Sequence, residues 1–246
     1  MLFRSVYSNA GWQSLVSWTA TDELSLLPLI ARHLLPAKLV KLHKVIVDSD
    51  DDRVFAAVGK LPRLTELTVL ENLTEPQLDL LQGLTTLRKL TAAAPVAPND
   101  VEDQEPTDIF AAGALVDSAL SEALTSLDLS EVKVDASYCR ELMLLPNLTS
   151  FDMPYWQDDG NDDEWDREDG ESHIQSLVMN SRDISMAWLL KRIRLPTLTS
   201  LHVKASFDEN EPKLVASFTS LTSLRVSAEA APLTEATLQT LSTLTN

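Results

Sequence analysis

The residues with the most evident capacity for chemistry are carboxylates. Between Gln157 and Ser172 the chain carries nine acids and one base, in the run Asp158-Asp-Gly-Asn-Asp-Asp-Glu-Trp-Asp-Arg-Glu-Asp-Gly-Glu171. Carboxylates crowded into a loop suit a hard cation such as calcium. The helix–loop–helix calcium pattern requires a carboxylate at loop position one and glycine at position six. Placing Gly160 at position six puts Tyr155 at position one, and placing Gly170 there puts Trp165 at position one. Neither supplies the first carboxylate, so the run is compatible only with weak, non-selective divalent-metal binding. The four histidines (His33, His43, His173 and His202) stand at no metal-binding spacing to one another or to Cys139. No glycine-rich phosphate loop and no Gly-x-Ser-x-Gly turn occurs. The expectation is a non-enzyme with no catalytic residue, no metal ligand and no cofactor.

Charge is segregated along the chain. The net charge is −17. Asp48 to Arg53 contributes −3, Asp100 to Asp108 contributes −5 and Gln157 to Ser172 contributes −8, leaving the remainder almost neutral. Such a field repels nucleic acid and anionic membranes and favours a basic protein partner. The plainer alternative is that these segments are solvated insertions that keep the chain soluble.

Those segments interrupt a recurring phrase. Leu64-Thr-Glu-Leu67-Thr-Val69, Leu87-Arg-Lys-Leu90-Thr-Ala92, Leu124-Thr-Ser-Leu127-Asp-Leu129, Leu148-Thr-Ser-Phe151-Asp-Met153, Ile174-Gln-Ser-Leu177-Val-Met179, Leu198-Thr-Ser-Leu201-His-Val203 and Leu221-Thr-Ser-Leu224-Arg-Val226 are seven copies. Leu42-His-Lys-Val45-Ile-Val47 is a weaker eighth. Their anchors lie 22, 23, 37, 24, 26, 24 and 23 residues apart. A period in the twenties marks one small unit stacked on copies of itself. Positions 4 and 6 fall on one face of a strand and positions 3 and 5 on the other. Parallel stacking then joins the apolar faces of successive strands into one core.

The rest of each period returns the chain. Leu73-Thr74-Glu-Pro-Gln77-Leu78 reads as a helix start, with Thr74 as N-cap, Gln77 as its reciprocal partner and Leu73 against Leu78 as a staple. Leu233-Thr-Glu-Ala-Thr-Leu238 repeats the device. Leu142, Leu145, the run Met186 to Ile193 and the stretch Ile109 to Leu120 suggest further return helices. Pro62, Pro146 and Pro196 would stop helices before the next strand.

On these residues the chain resembles the leucine-rich-repeat family in its strand-plus-helix form. The resemblance implies an α/β solenoid, with a curved parallel sheet on the concave side and helices and loops on the convex side. The family usually sets Asn or Cys three residues after the last strand leucine. Asn72 fits, but Val132, Trp156, Arg182, Ser206 and Glu229 fill the slot elsewhere. The expected organisation is a helical N-terminal cap over 1–41, with Trp12 and Trp18 packed in it, and a repeat array over 42–246. Acidic insertions fall near 95–108 and 157–172. The last residues, Leu241-Ser-Thr-Leu244-Thr-Asn246, open another repeat with no polar cap. A fragment, a longer protein and end-to-end pairing all fit that ending, and the oligomeric state stays open.

The resemblance implies a module that binds a protein through its concave sheet. The outward column at position 5 changes character along the array, from Asp128 and Asp152 through Val178 to His202 and Arg225. Tyr155 and Trp156 follow the fourth clear strand, and two readings apply: an aromatic anchor for a partner, or a Trp156 that fills the core where asparagine is absent. The expected partner-binding set is Asp128, Asp152, Tyr155, Trp156, His202 and Arg225. A substrate-receptor subunit of a ubiquitin ligase is a second reading, since Leu24 to Leu42 resembles an adaptor-binding segment. One cysteine rules out an internal disulfide and favours a reducing, cytoplasmic setting. No stretch reads as a membrane span or signal peptide.

Overall fold

The computed structural model describes residues 17–21, 42–48, 50–71, 73–93, 110–157, 170–179, 193–204, 215 and 217–227. The chain divides into two compact units, Met1–Ser126 and Leu127–Asn246.

In the first unit, strands β1 (Ser17–Thr21), β2 (Lys44–Asp48), β3 (Glu66–Val69) and β4 (Lys89–Ala92) pair in chain order, all parallel. The register sets equal phrase positions side by side, as in Val45↔Leu67 and Leu67↔Leu90. Among the described residues three helices return the chain: α1 (Asp52–Val58), α2 (Glu75–Leu81) and α3 (Ala112–Val116). Strand β5 (Ser126–Asp128) starts on the last residue of this unit.

In the second unit, β5 is followed by β6 (Lys133–Asp135), α4 (Ala136–Met143), β7 (Ser150–Asp152), β8 (Tyr155–Gln157), β9 (Gly170–Glu171), β10 (Ser176–Met179), β11 (Ile193–Arg194), β12 (Ser200–Val203) and β13 (Ser223–Val226). Its sheet runs β5-β7-β10-β12-β13. The return paths contribute two parallel pairs of their own, β6 with β8 and β9 with β11.

The core is the set of residues the phrase places inside. Leu64, Leu87, Leu124, Leu148, Ile174 and Leu198 are fully buried at position 1. Leu67, Leu90, Leu127, Phe151, Leu177 and Leu201 are buried at position 4. Val69, Ala92, Leu129, Met153, Met179 and Val203 complete the face at position 6. In β13 the pattern weakens, and Leu221, Leu224 and Val226 are only half-buried. Cys139, inside α4, is fully buried.

Helix starts are local. Asp51 caps α1, its Oδ1 accepting from the Arg53 amide at 2.9 Å. At α2 the Gln77 Oε1 accepts from the Thr74 amide at 3.1 Å, the reciprocal half of a capping box. The same side chain donates from Nε2 to the Asp50 carbonyl at 3.0 Å, so it also ties α2 to the entry of α1. Leu73 and Leu78 are both buried, as a staple requires. Gly59 closes α1 because nothing larger fits: a Cβ there would lie 2.0 Å from the Leu80 carbonyl oxygen of α2.

A threonine ladder runs along the strand entries. At position 2 of six phrases (His43, Thr65, Arg88, Thr149, Gln175 and Thr199) the carbonyl accepts two amides from the next strand. Thr65 and Glu66 donate to His43, Thr125 and Ser126 to Arg88, and Thr199 and Ser200 to Gln175, at 2.8 to 2.9 Å. At several of these positions a threonine hydroxyl adds a third donor to the same carbonyl: Thr65 to His43 at 3.1 Å, Thr125 to Arg88 at 3.2 Å and Thr199 to Gln175 at 3.1 Å. A second hydroxyl column precedes position 1, with Thr86 donating to Leu64 at 2.8 Å and Thr197 to Ile174 at 3.0 Å.

Several local expectations change. Residues 17–21 are a strand in register with β2 (Trp18 opposite Val45), not part of a helical cap. The rest of 1–41 lies outside the described residues, Trp12 included. The return helix expected over Ile109 to Leu120 covers only Ala112–Val116. Ser118 Oγ donates to the Leu115 carbonyl at 2.7 Å and Ser121 Oγ to the Ser118 carbonyl at 2.7 Å, drawing the backbone into turns beyond Val116. Ile193 belongs to β11 and not to a helix, while 186–192 lie outside the described residues. Leu145 is buried in the turn after α4. Asn72, the Leu233 device, the acidic stretches 94–109 and 158–169, and the C-terminal stretch 228–246 also fall outside the described residues.

Candidate functional site

The sheet has two faces, and the leucines occupy one. The opposite face carries positions 3 and 5. In the first unit its charges neutralise one another locally: Lys44 Nζ lies 3.5 Å from Glu66 Oε2 on the adjoining strand. Ile46, Thr68 and Thr91, half-buried, fill position 5 there.

In the second unit the arrangement differs. Ser150, Ser176, Ser200 and Ser223 are aligned strand by strand at position 3. Beside them, Asp152 is opposite Val178, Val178 opposite His202, and His202 opposite Arg225. Leu129 donates from its amide to the Asp152 carbonyl at 2.9 Å, just as Met153 does to Val178 at 2.8 Å. Strand β5 therefore holds the same register on β7, and Asp128 stands opposite Asp152. Two carboxylates directly opposite on neighbouring strands are unfavourable for the sheet itself. Asp128, Asp152, Val178 and His202 are half-buried, and Arg225 is exposed. Asp128 Oδ1 accepts from the Ser130 amide at 3.1 Å.

The basic end is more elaborate than the position-5 column alone. His202 Nε2 lies 2.9 Å from Ser227 Oγ. Burial holds the imidazole below its ordinary titration range, and the cations of Arg225 and Lys204 push it the same way. His202 therefore stands as a neutral hydrogen-bonding group at neutral pH, with the fixed charge carried by Lys204 and Arg225. Lys204 and Ser227 were not among the expected site residues. Both occupy the next outward step, position 7, so carrying the alternation one step past the phrase names them.

Of the six expected residues, the structure aligns Asp128, Asp152, His202 and Arg225 in one column of the second unit. It does not place Tyr155 and Trp156 there. Their backbone forms β8, paired with β6 in a separate two-stranded sheet, with Lys133 opposite Tyr155 and Val134 opposite Trp156. Their side chains lie outside the described residues. Among the described residues no three His, Cys, Asp or Glu side chains group as a metal site would need. Also among them, no helix is long and apolar enough to cross a membrane.

No protein-family model matches the chain, and no curated protein matches it. Solved structures do. An internalin from Listeria monocytogenes aligns over 95% of this chain and 61% of its own length, with a TM-score of 0.52 at 19% identity. A protein from Bacteroides fragilis aligns over 89% of this chain and 67% of its own, with a TM-score of 0.42 at 14% identity. The recurring phrase, the chain-ordered parallel strands and the buried leucine face agree with the first of these likenesses: this protein folds as a leucine-rich-repeat solenoid.

Proposed function

We propose that the protein is a non-enzymatic interaction module that binds a protein partner through the outward strand face of its second unit. The observation that carries this is the column Asp128, Asp152, Val178, His202, Arg225. The inward positions beneath it are uniformly apolar, and the serine column beside it is uniform. Position 5 varies, and it sets two carboxylates, Asp128 and Asp152, opposite one another. Variation of this kind on a constant scaffold suits recognition. The single cysteine, buried in α4, is consistent with a reducing, cytoplasmic setting.

The test is replacement of Asp128, Asp152, His202 and Arg225 together by alanine. All four side chains point away from the core, so circular dichroism should be unchanged, and capture of the partner should be lost. Undiminished capture by a folded variant would dismiss this face.

A further inference from the structure

Resting on that reading, we infer that the partner segment is charge-segregated: lysine or arginine at the β5–β7 end, and aspartate or glutamate at the β12–β13 end. The net charge of −17 taken alone would call for a basic partner throughout. The face does not support that. Lys204 and Arg225 are both exposed at one end of it, with His202 between them held neutral and hydrogen-bonded to Ser227. A wholly basic segment would set cations against cations there, which is strongly disfavoured at an interface. A wholly acidic segment would meet Asp128 and Asp152 at the other end. Val178, uncharged, separates the two halves.

Geometry adds a spacing. Neighbouring strands lie about 4.8 Å apart, so the three steps from Asp152 to Arg225 cover roughly 14 Å. An extended chain advances about 3.3 Å per residue, so the basic and acidic residues of the segment stand about four apart. The serine column alongside (Ser150, Ser176, Ser200 and Ser223) is low, and leaves room for a backbone to cross the strands closely.

Three synthetic peptides test this on the full chain, by fluorescence anisotropy at low salt: Lys-Lys-Thr-Ala-Thr-Glu-Glu, its all-lysine counterpart and its all-glutamate counterpart. The segregated peptide should bind about tenfold more tightly than either. In a Lys204→Glu, Arg225→Glu variant the all-lysine peptide should become the preferred one. If the all-lysine peptide is preferred by the natural chain, and the four-alanine variant abolishes its binding, the segregation is wrong while the face stands. If no peptide binds, or binding survives the four alanines, segregation and face fail together.

Discussion

Thr222 Oγ1 donates to the carbonyl of Thr199 at 3.1 Å, and that carbonyl also accepts the amides of Thr222 and Ser223, each at 2.9 Å. Thr199 in turn makes the same bond to Gln175. The hydroxyl is a third donor at an acceptor the sheet has already used. Replacing Thr199 by valine keeps the shape and the β-branched fit to a strand, and removes only that donor. The Gln175 carbonyl keeps its two amides, so nothing is orphaned. The expected loss is about 0.5–1 kcal/mol, read from the urea midpoint with an unchanged denaturant slope.

Gln77 should matter more. It is 3% exposed, and one amide group serves the Thr74 amide and the Asp50 carbonyl at once. Gln77→Ala leaves two backbone groups without these partners and opens space beside Leu78. A loss of about 1–3 kcal/mol is expected in urea unfolding. Gln77→Glu should be at least as damaging at neutral pH, because it exchanges the donor to Asp50 for a buried negative charge.

Gly59→Ala tests close approach rather than backbone freedom. Gly59 has φ −59°, which any residue adopts, yet its added methyl would meet the Leu80 carbonyl carbon at 3.1 Å and its oxygen at 2.0 Å. Backbone, not a pliant side chain, is in the way. Thermal unfolding should shift down by an amount corresponding to about 1–3 kcal/mol. A neutral or raised Tm would show that α1 and α2 can part without cost.

His202 supplies a titration. Its pKa in the folded chain lies below the ordinary 6.5, first through burial and then through Arg225 and Lys204. The unfolded chain therefore takes the proton first as pH falls. This residue's contribution to stability is complete above pH 6.5 and declines below it, until the folded imidazole also protonates. An NMR titration of the ring should give a midpoint under 6.5, and Arg225→Ala should move it upward. A midpoint at or above 6.5 in the natural chain would contradict the burial and the cation pair alike.

The repeating phrase by itself determined which residues would be inside. An apolar side chain at positions 1, 4 and 6, every twenty-odd residues, can be buried only by stacking strands in register. Leu64 to Val203 obey that arithmetic without exception among the positions described. It determined the start of α2 as well, since a capping box and staple are made within a few residues. The same phrase is legible at Leu15-Val-Ser-Trp18-Thr-Ala20, where β1 lies, but tryptophan in a leucine position concealed it. What the tertiary structure decided is everything that depends on another repeat. Threonine at position 2 is a weak signal alone; it becomes a ladder only when the preceding carbonyl arrives 22 or more residues away in sequence. The reach of Gln77 to Asp50, the collision that reserves position 59 for glycine, and the gathering of His202, Lys204, Arg225 and Ser227 are of the same kind. Periodicity specifies which way a side chain points, because that follows from one strand's geometry. It does not specify what the side chain meets, because that is set by the neighbouring strand and the path the chain takes to reach it.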